Sequence, residues 1–238
     1  LLMTEEINFI VPLGLRCSLA QILKNQSLRK YALPFDWTYT TLQMLLAILE
    51  NDFQELLVQD HYAYVGNRPR PGIHPRVTHR LYESECLKVN DDGAMFAHHN
   101  PLTKEGLSYV TRAVQRLRMI LERKDRKLFM CVGYEGFGTG DNGLSEVLQV
   151  YECLTKIAFN FEFVAVDCKL STGRSKATQI YCKVDDDFKS KCRVYDLECI
   201  GGNSGQRFDV VDDSETLTAL LLIPDSGQGR IGDPYKFK

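Results

Sequence analysis

The chain has 238 residues, 44% of them apolar and 25% charged, ordinary proportions for a globular protein and enough to bury a sizeable core. A formal net charge of −2 gives whole-molecule electrostatics no means of drawing in a nucleic acid, so no nucleic-acid partner is expected. No apolar run approaches the roughly 20 residues that span a bilayer, which excludes a membrane-spanning helix, and residues 1–6 lack the basic end and apolar centre of a signal peptide.

Residues 7–14, INFIVPLG, form a short apolar run stopped by glycine, the pattern of a buried strand. SLAQILKN follows with Leu19, Ile22 and Leu23 at helical spacing, so a helix is expected to begin at Cys17 or Ser18. TTLQMLLAILEN offers a threonine N-cap and apolar Leu42, Leu45, Leu46 and Leu49, which predicts a second helix. Residues 67–80, NRPRPGIHPRVTHR, hold three prolines, four arginines and no acid; proline at that density excludes regular helix and central strand, leaving a positively charged loop. From Asn100, the expected N-cap, a long helix carries Leu107, Val110, Val114, Leu117 and Leu121 on one face and arginines on the other.

KLFMCVG reads as a strand, the glycine-rich stretch from Gly133 to Gly143 as a loop, residues 144–159 as a helix and FEFVAVDCK as a third strand. Strand, loop, helix, strand is the order of a parallel crossover. TQIYCKVD and CRVYDLECIG read as later strands, joined by the acidic turn DDDFKSK as an antiparallel hairpin. The predicted fold is α/β: one domain over residues 1–223 with a mainly parallel central sheet flanked by helices, an antiparallel extension near the C-terminus, and a flexible tail over 224–238.

The eight cysteines include no Cys-x-x-Cys pair, which argues against a zinc ribbon and a thioredoxin-type motif. Several, such as Cys131 and Cys182, lie in apolar runs and are expected to pack as small hydrophobes. A chain with its own core needs no disulfide framework, so a reducing compartment, the cytoplasm, is the expected location. No metal and no cofactor are expected, and nothing in the composition specifies an oligomeric state.

Ligands of an open parallel sheet gather beyond the carboxyl ends of its strands. There the predicted topology gathers Gly14 to Cys17 after the first strand, Gly133 to Gly143 after the second, and Asp167 at the close of the third. Cys17 at a helix N-terminus, beside Arg16, would have its pKa pulled down and would act as a thiolate; the helix amides would hold an oxyanion. Gly14 would let the backbone turn sharply enough to present the thiol. The plain alternative is a packed cysteine in a strand–helix joint. A thiol nucleophile also needs a base and an orienting group. His98 and His99 are the candidates for the base, and adjacent residues on an extended segment point to opposite sides. Asp36, Asp167 and Asn100 are the candidates for the orienter. His61 has no distinctive context; His74 and His79 lie in the charged loop, where solvated or phosphate-facing roles are expected.

Leu13, Gly14 and Cys17, then Leu28 and Arg29, then Pro34, Phe35, Asp36 and Trp37 resemble the signature of the putative papain-like cysteine peptidases. MFAHHN, RAVQRLRMILER and KLFMCVG follow in a similar order and spacing, so the resemblance covers residues 7–132. It implies a nucleophile at Cys17, a base at His98 or His99, a carboxylate partner at Asp36, and a peptide or other acyl substrate. Asp36 would equally cap a turn through its side chain, with Trp37 as the turn's anchor or a wall of the site. Gly14, Arg16, Trp37 and Asp167 are the positions expected to line the substrate.

Two other functions compete with this one. A sugar- or nucleotide-handling transferase would cradle phosphate on the amides between Gly133 and Gly143, helped by the loop arginines. A non-catalytic binding module would present its arginine-rich loop and helix face to an acidic partner.

Overall fold

The computed structural model describes residues 7–66, 75–138, 143–173, 175–184, 190–202 and 207–222. The strands are β1 (Phe9–Pro12), β2 (Tyr62–Tyr64), β3 (Val77–His79), β4 (Lys127–Tyr134), β5 (Phe161–Leu170), β6 (Lys176–Val184) and β7 (Ser190–Cys199). The α-helices are α1 (Cys17–Asn25), α2 (Leu42–Glu50), α3 (Glu83–Val89), α4 (Lys104–Glu122), α5 (Gly143–Ile157) and α6 (Val211–Leu222). Five strands form one sheet in the order β1-β4-β5-β7-β6. β1, β4, β5 and β7 run parallel, and β6 pairs antiparallel with β7. The predicted α/β architecture and its antiparallel extension are therefore present, with β7 inserted between β5 and its hairpin partner.

Strand alternation distributes the core to both faces of the sheet. Phe9, Val11, Phe129, Cys131, Phe161, Phe163 and Val194 face one way and pack on α2, α4 and α5. Ile10, Leu128, Met130, Val132, Val164, Val166 and Leu197 face the other way and pack on α1 and α6. β4 and β5 are buried along nearly their whole length, as parallel strands covered on two sides must be. β6 closes one edge and is mostly exposed, with Lys176 and Lys183 along it.

Thr41 caps α2 as predicted, its Oγ1 accepting from Met44 N at 3.1 Å. The N-cap of α4 is Thr103, whose Oγ1 accepts from Gly106 N, and Asn100 instead folds the preceding turn by accepting from Leu102 N at 3.1 Å. Part of the stretch expected to be loop is strand: Val77–His79 pairs with Tyr62–Tyr64 as a small antiparallel sheet. Phe96 bridges to Val77 and Thr38, which brings the segment after Trp37 into the same strip. Residues 67–74, with His74, and the tail over 224–238 lie outside the described residues. Seven of the eight cysteines are buried and all eight are free. Cys182 is the exception to the packed expectation: edge strand β6 leaves it exposed. No helix among the described residues is long and apolar enough to cross a membrane.

Candidate active site

Pairing with β4 continues past the end of β1. Leu13 N donates to Met130 O, Val132 N to Gly14 O and Leu15 N to Val132 O. Gly14 has φ +92°, and a Cβ there would stand 2.8 Å from Thr40 Oγ1, so this close approach needs glycine. The chain then turns into α1, with Arg16 as N-cap and Cys17 as the first helical residue. The predicted strand–helix joint is present.

The electrostatics of Cys17 differ from expectation. The residue is fully buried, and burial pushes its thiol up to about 11; its own backbone N–H, Arg16 and Arg76 pull it down, while Asp36 pushes it up. Desolvation of a thiolate outweighs the helix position and both arginines. The resting residue is a covered, protonated thiol.

Beside this turn, at the carboxyl ends of β1 and β4, lies a cleft of about 300 Å³ lined by Leu15, Arg16, Lys88, Val89, Tyr134 and Phe137 among others. Arg16 Nη2 donates to Val89 O at 3.2 Å, and its guanidinium carbon stands 5.1 Å from the Tyr134 ring centroid. The Tyr134 hydroxyl shares a 2.7 Å hydrogen bond with Ser18 Oγ in the first turn of α1. Arg16 is therefore held from two sides by neutral groups.

The opposite wall is the turn after β4. Glu135, Gly136 and Phe137 are all left-handed, with φ of 50°, 75° and 57°. The Asp167 carboxylate fixes this turn by accepting from Gly136 N at 2.8 Å and Phe137 N at 3.0 Å. A Cβ on Gly133 would stand 2.2 Å from the Phe137 ring, so glycine there is required by packing. Asp167 thus faces the turn's backbone, burial raises its pKa, and β5 continues beyond it to Leu170. Two of the amides that a phosphate cradle would use are taken by this carboxylate; residues 139–142 of the proposed cradle lie outside the described residues.

The Leu-Arg and Pro-Phe-Asp-Trp blocks meet as one unit. Asp36 Oδ2 accepts from Arg29 Nε at 2.8 Å, from Arg29 Nη2 at 2.7 Å and from Leu33 N at 3.0 Å. Burial raises the Asp36 carboxyl to about 6 against the pull of Arg29 and the Leu33 amide. The carboxylate ties the end of α1 to the strip that follows, so Asp36 acts first as the turn's clip. Arg29 also stands over Trp37, 5.6 Å from the ring, and the His98 ring meets Trp37 edge-on at 5.4 Å. His99 turns the other way and stacks on Tyr109 of α4 at 3.8 Å. The opposite orientation of the two imidazoles is what adjacent positions on an extended segment require. The strip joins the Cys17 turn through Thr40 N, which donates to Leu15 O at 3.0 Å, and joins the histidine segment through Tyr39 N, which donates to Met95 O at 2.9 Å.

His79, expected in a solvated loop, is buried; its Nε2 bonds Glu55 O at 3.0 Å and its ring stacks on Tyr82. Sequence reasoning missed Ser18, Lys88 and Val89 around the cleft, and placed Tyr134 only as part of the Gly133–Gly143 loop, with no role of its own. Among the described residues no group of three or more His, Cys, Asp or Glu side chains gathers as a metal site requires.

A family model described as "Putative papain-like cysteine peptidase" matches residues 8–130, more than half of the chain. The match contains the Cys17 turn, the Arg29–Asp36 clip and the histidine segment, and it ends within β4. No curated protein matches the chain, and no solved structure does.

Proposed function

Because the chain belongs to the family described as putative papain-like cysteine peptidases, we propose that it is a hydrolase in which Cys17 attacks the carbonyl carbon of an amide or related acyl bond. The observation that carries this reading is the position of Cys17 as the first residue of α1, at the carboxyl end of β1 and beside a cleft. A covered thiol held at about 11 cannot attack as a resting thiolate. The proton therefore leaves during attack: substrate displaces the cover, the sulfur–carbon bond forms, and a base takes the thiol proton. The developing oxyanion lies against amides of the first turn of α1. As the carbon–nitrogen bond breaks, the protonated base gives its proton to the departing amine. Water then attacks the thioester, passes a proton through the same base, and regenerates the thiol.

His98 is the base this reading favours. Its ring lies against Trp37, on the strip bonded to the Cys17 turn, whereas the ring of His99 is stacked flat on α4. Asp36 supports the strip through Oδ2, which Arg29 and Leu33 share, and its Oδ1 is the oxygen left to orient an imidazole. The test is turnover of a panel of peptide p-nitroanilides and acyl p-nitrophenyl esters by the full chain and by Cys17→Ala, Cys17→Ser and His98→Gln. Activity should fall at least about a thousandfold in both cysteine variants. Activity that survives Cys17→Ala refutes the reading.

A further inference from the structure

Among the described residues the arginines divide into those that meet a carboxylate and those that do not. Arg29, Arg76, Arg118 and Arg193 each meet a carboxylate, respectively Asp36, Asp92, Asp52 and Glu162. Arg16 is half-buried, yet it meets a carbonyl and an aromatic ring, and no carboxylate pairs with it among the described residues. A guanidinium taken partly out of water normally finds a counter-charge. This one is instead held in place by neutral groups at the wall of the cleft. Its supports are themselves fixed: Tyr134 is bonded to Ser18, and Val89 ends α3.

The other charged groups around the cleft each have a partner of their own. Lys88 adds a second cation and is paired with Glu85 at 2.5 Å. Glu135 lines the cleft too, but its Oε1 accepts from Leu170 N at 3.0 Å, at the end of β5. The facing wall is a left-handed turn clamped by Asp167, and backbone held in such conformations by its surroundings is found at ligand sites. A volume of about 300 Å³ admits a small acyl group and not a folded segment.

We propose that this cleft is a subsite for a carboxylate, received by the unpaired guanidinium of Arg16 with Lys88 as the outer cation, so that the substrates are acyl compounds carrying an acidic group close to the bond cleaved. The guanidinium fork matches a carboxylate in plane and spacing. The inference rests on the acyl chemistry proposed for Cys17, but the subsite is measurable without it.

The experiment is calorimetric titration of the full chain carrying Cys17→Ala with the α-methylamides of N-acetyl-L-glutamate and N-acetyl-L-glutamine, which differ only in the side-chain carboxylate, and with inorganic phosphate. The acid is expected to bind at least about tenfold more tightly than the amide or the phosphate. Arg16→Gln should abolish the preference for the acid, Arg16→Lys should keep part of it, and Lys88→Gln should weaken it by a few-fold. Circular dichroism verifies that each variant is folded, and the acid–amide comparison needs no change at Arg16. Equal binding of acid and amide, binding of neither, tighter binding of phosphate, or an acid preference that survives in folded Arg16→Gln overturns the proposal. None of these outcomes bears on whether Cys17 is the nucleophile, which is read from turnover.

Discussion

Asp167→Asn tests how the wall of the cleft is held. The carboxylate accepts from two amides, Gly136 N and Phe137 N. An asparagine offers one oxygen and one NH2 group, so one of the two amides loses its acceptor and faces a donor. Hydrogen bonds to charged groups contribute about 1.5–3 kcal/mol, and a buried donor left unpaired costs about 1–3 kcal/mol. Working the other way, Asp167 is 2% exposed and burial raises its pKa, so a neutral side chain recovers part of the desolvation cost. The balance is a loss of about 2–3 kcal/mol. Left-handed backbone at Glu135 and Phe137 costs roughly 1–2 kcal/mol per residue and would lose its anchor, so the turn should open before the sheet does. Urea unfolding followed by Trp37 fluorescence should show a lower midpoint with an unchanged slope. Amide exchange should accelerate at Gly136 and Phe137. A variant within about 0.5 kcal/mol of the parent, with unchanged exchange at both amides, refutes the assignment of Asp167 as the turn's clip.

Burial raises Cys17 to about 11 from 9.0, so on raising the pH the unfolded chain loses this proton first, and the contribution present below pH 9 is lost as pH climbs through about 11. The parent minus Cys17→Ala difference in unfolding free energy should therefore decline by on the order of 2–3 kcal/mol across that window; a flat difference contradicts the buried protonated thiol. Iodoacetamide should label Cys17 slowly at pH 7, with a rate that grows about tenfold per pH step up to pH 10, while exposed Cys182 reacts first. Gly14→Val should unfold the Cys17 turn or cost at least about 2 kcal/mol, since the new side chain meets Thr40 and φ is +92°; differential scanning calorimetry reads it. Arg29→Met leaves Asp36 buried without its cation and should cost about 3 kcal/mol at pH 7.5. Its carboxyl, already raised to about 6, then rises further, so the folded variant favours the protonated form and the deficit should shrink by pH 5; a deficit that grows on acidification contradicts the ion pair.

The sheet was legible because its central strands announce themselves. KLFMCVG and FEFVAVDCK are apolar on both faces, and such runs occur where helices cover a parallel sheet on two sides. α4 was legible from its single apolar face. Val77–His79 was not, because the prolines before it mask a strand only three residues long whose partner, Tyr62–Tyr64, has no matching pattern. α6 went unseen because its apolar residues are crowded into its second half, where Leu217 and Leu221 are buried and Leu220 packs against them. The position of Cys17 could be read from a glycine-stopped strand followed by helical spacing. Its protonation state could not, because desolvation depends on what covers the sulfur, and those groups come from distant segments. The pairing of Arg29 with Asp36 is local, seven residues apart. The role of Asp167 is set by contacts 30 residues away and by a turn whose left-handed residues include glutamate and phenylalanine, which no turn preference favours.

The most direct test is capture of the acyl-enzyme. The full chain is mixed with an N-acyl-glutamyl thioester, quenched in acid within seconds, and digested for mass spectrometry. The acyl group should be found as a thioester on the peptide that contains Cys17, and Cys17→Ala should carry none. An adduct confined to Cys182, or hydrolysis of the thioester by Cys17→Ala at the parent's rate, would contradict the account.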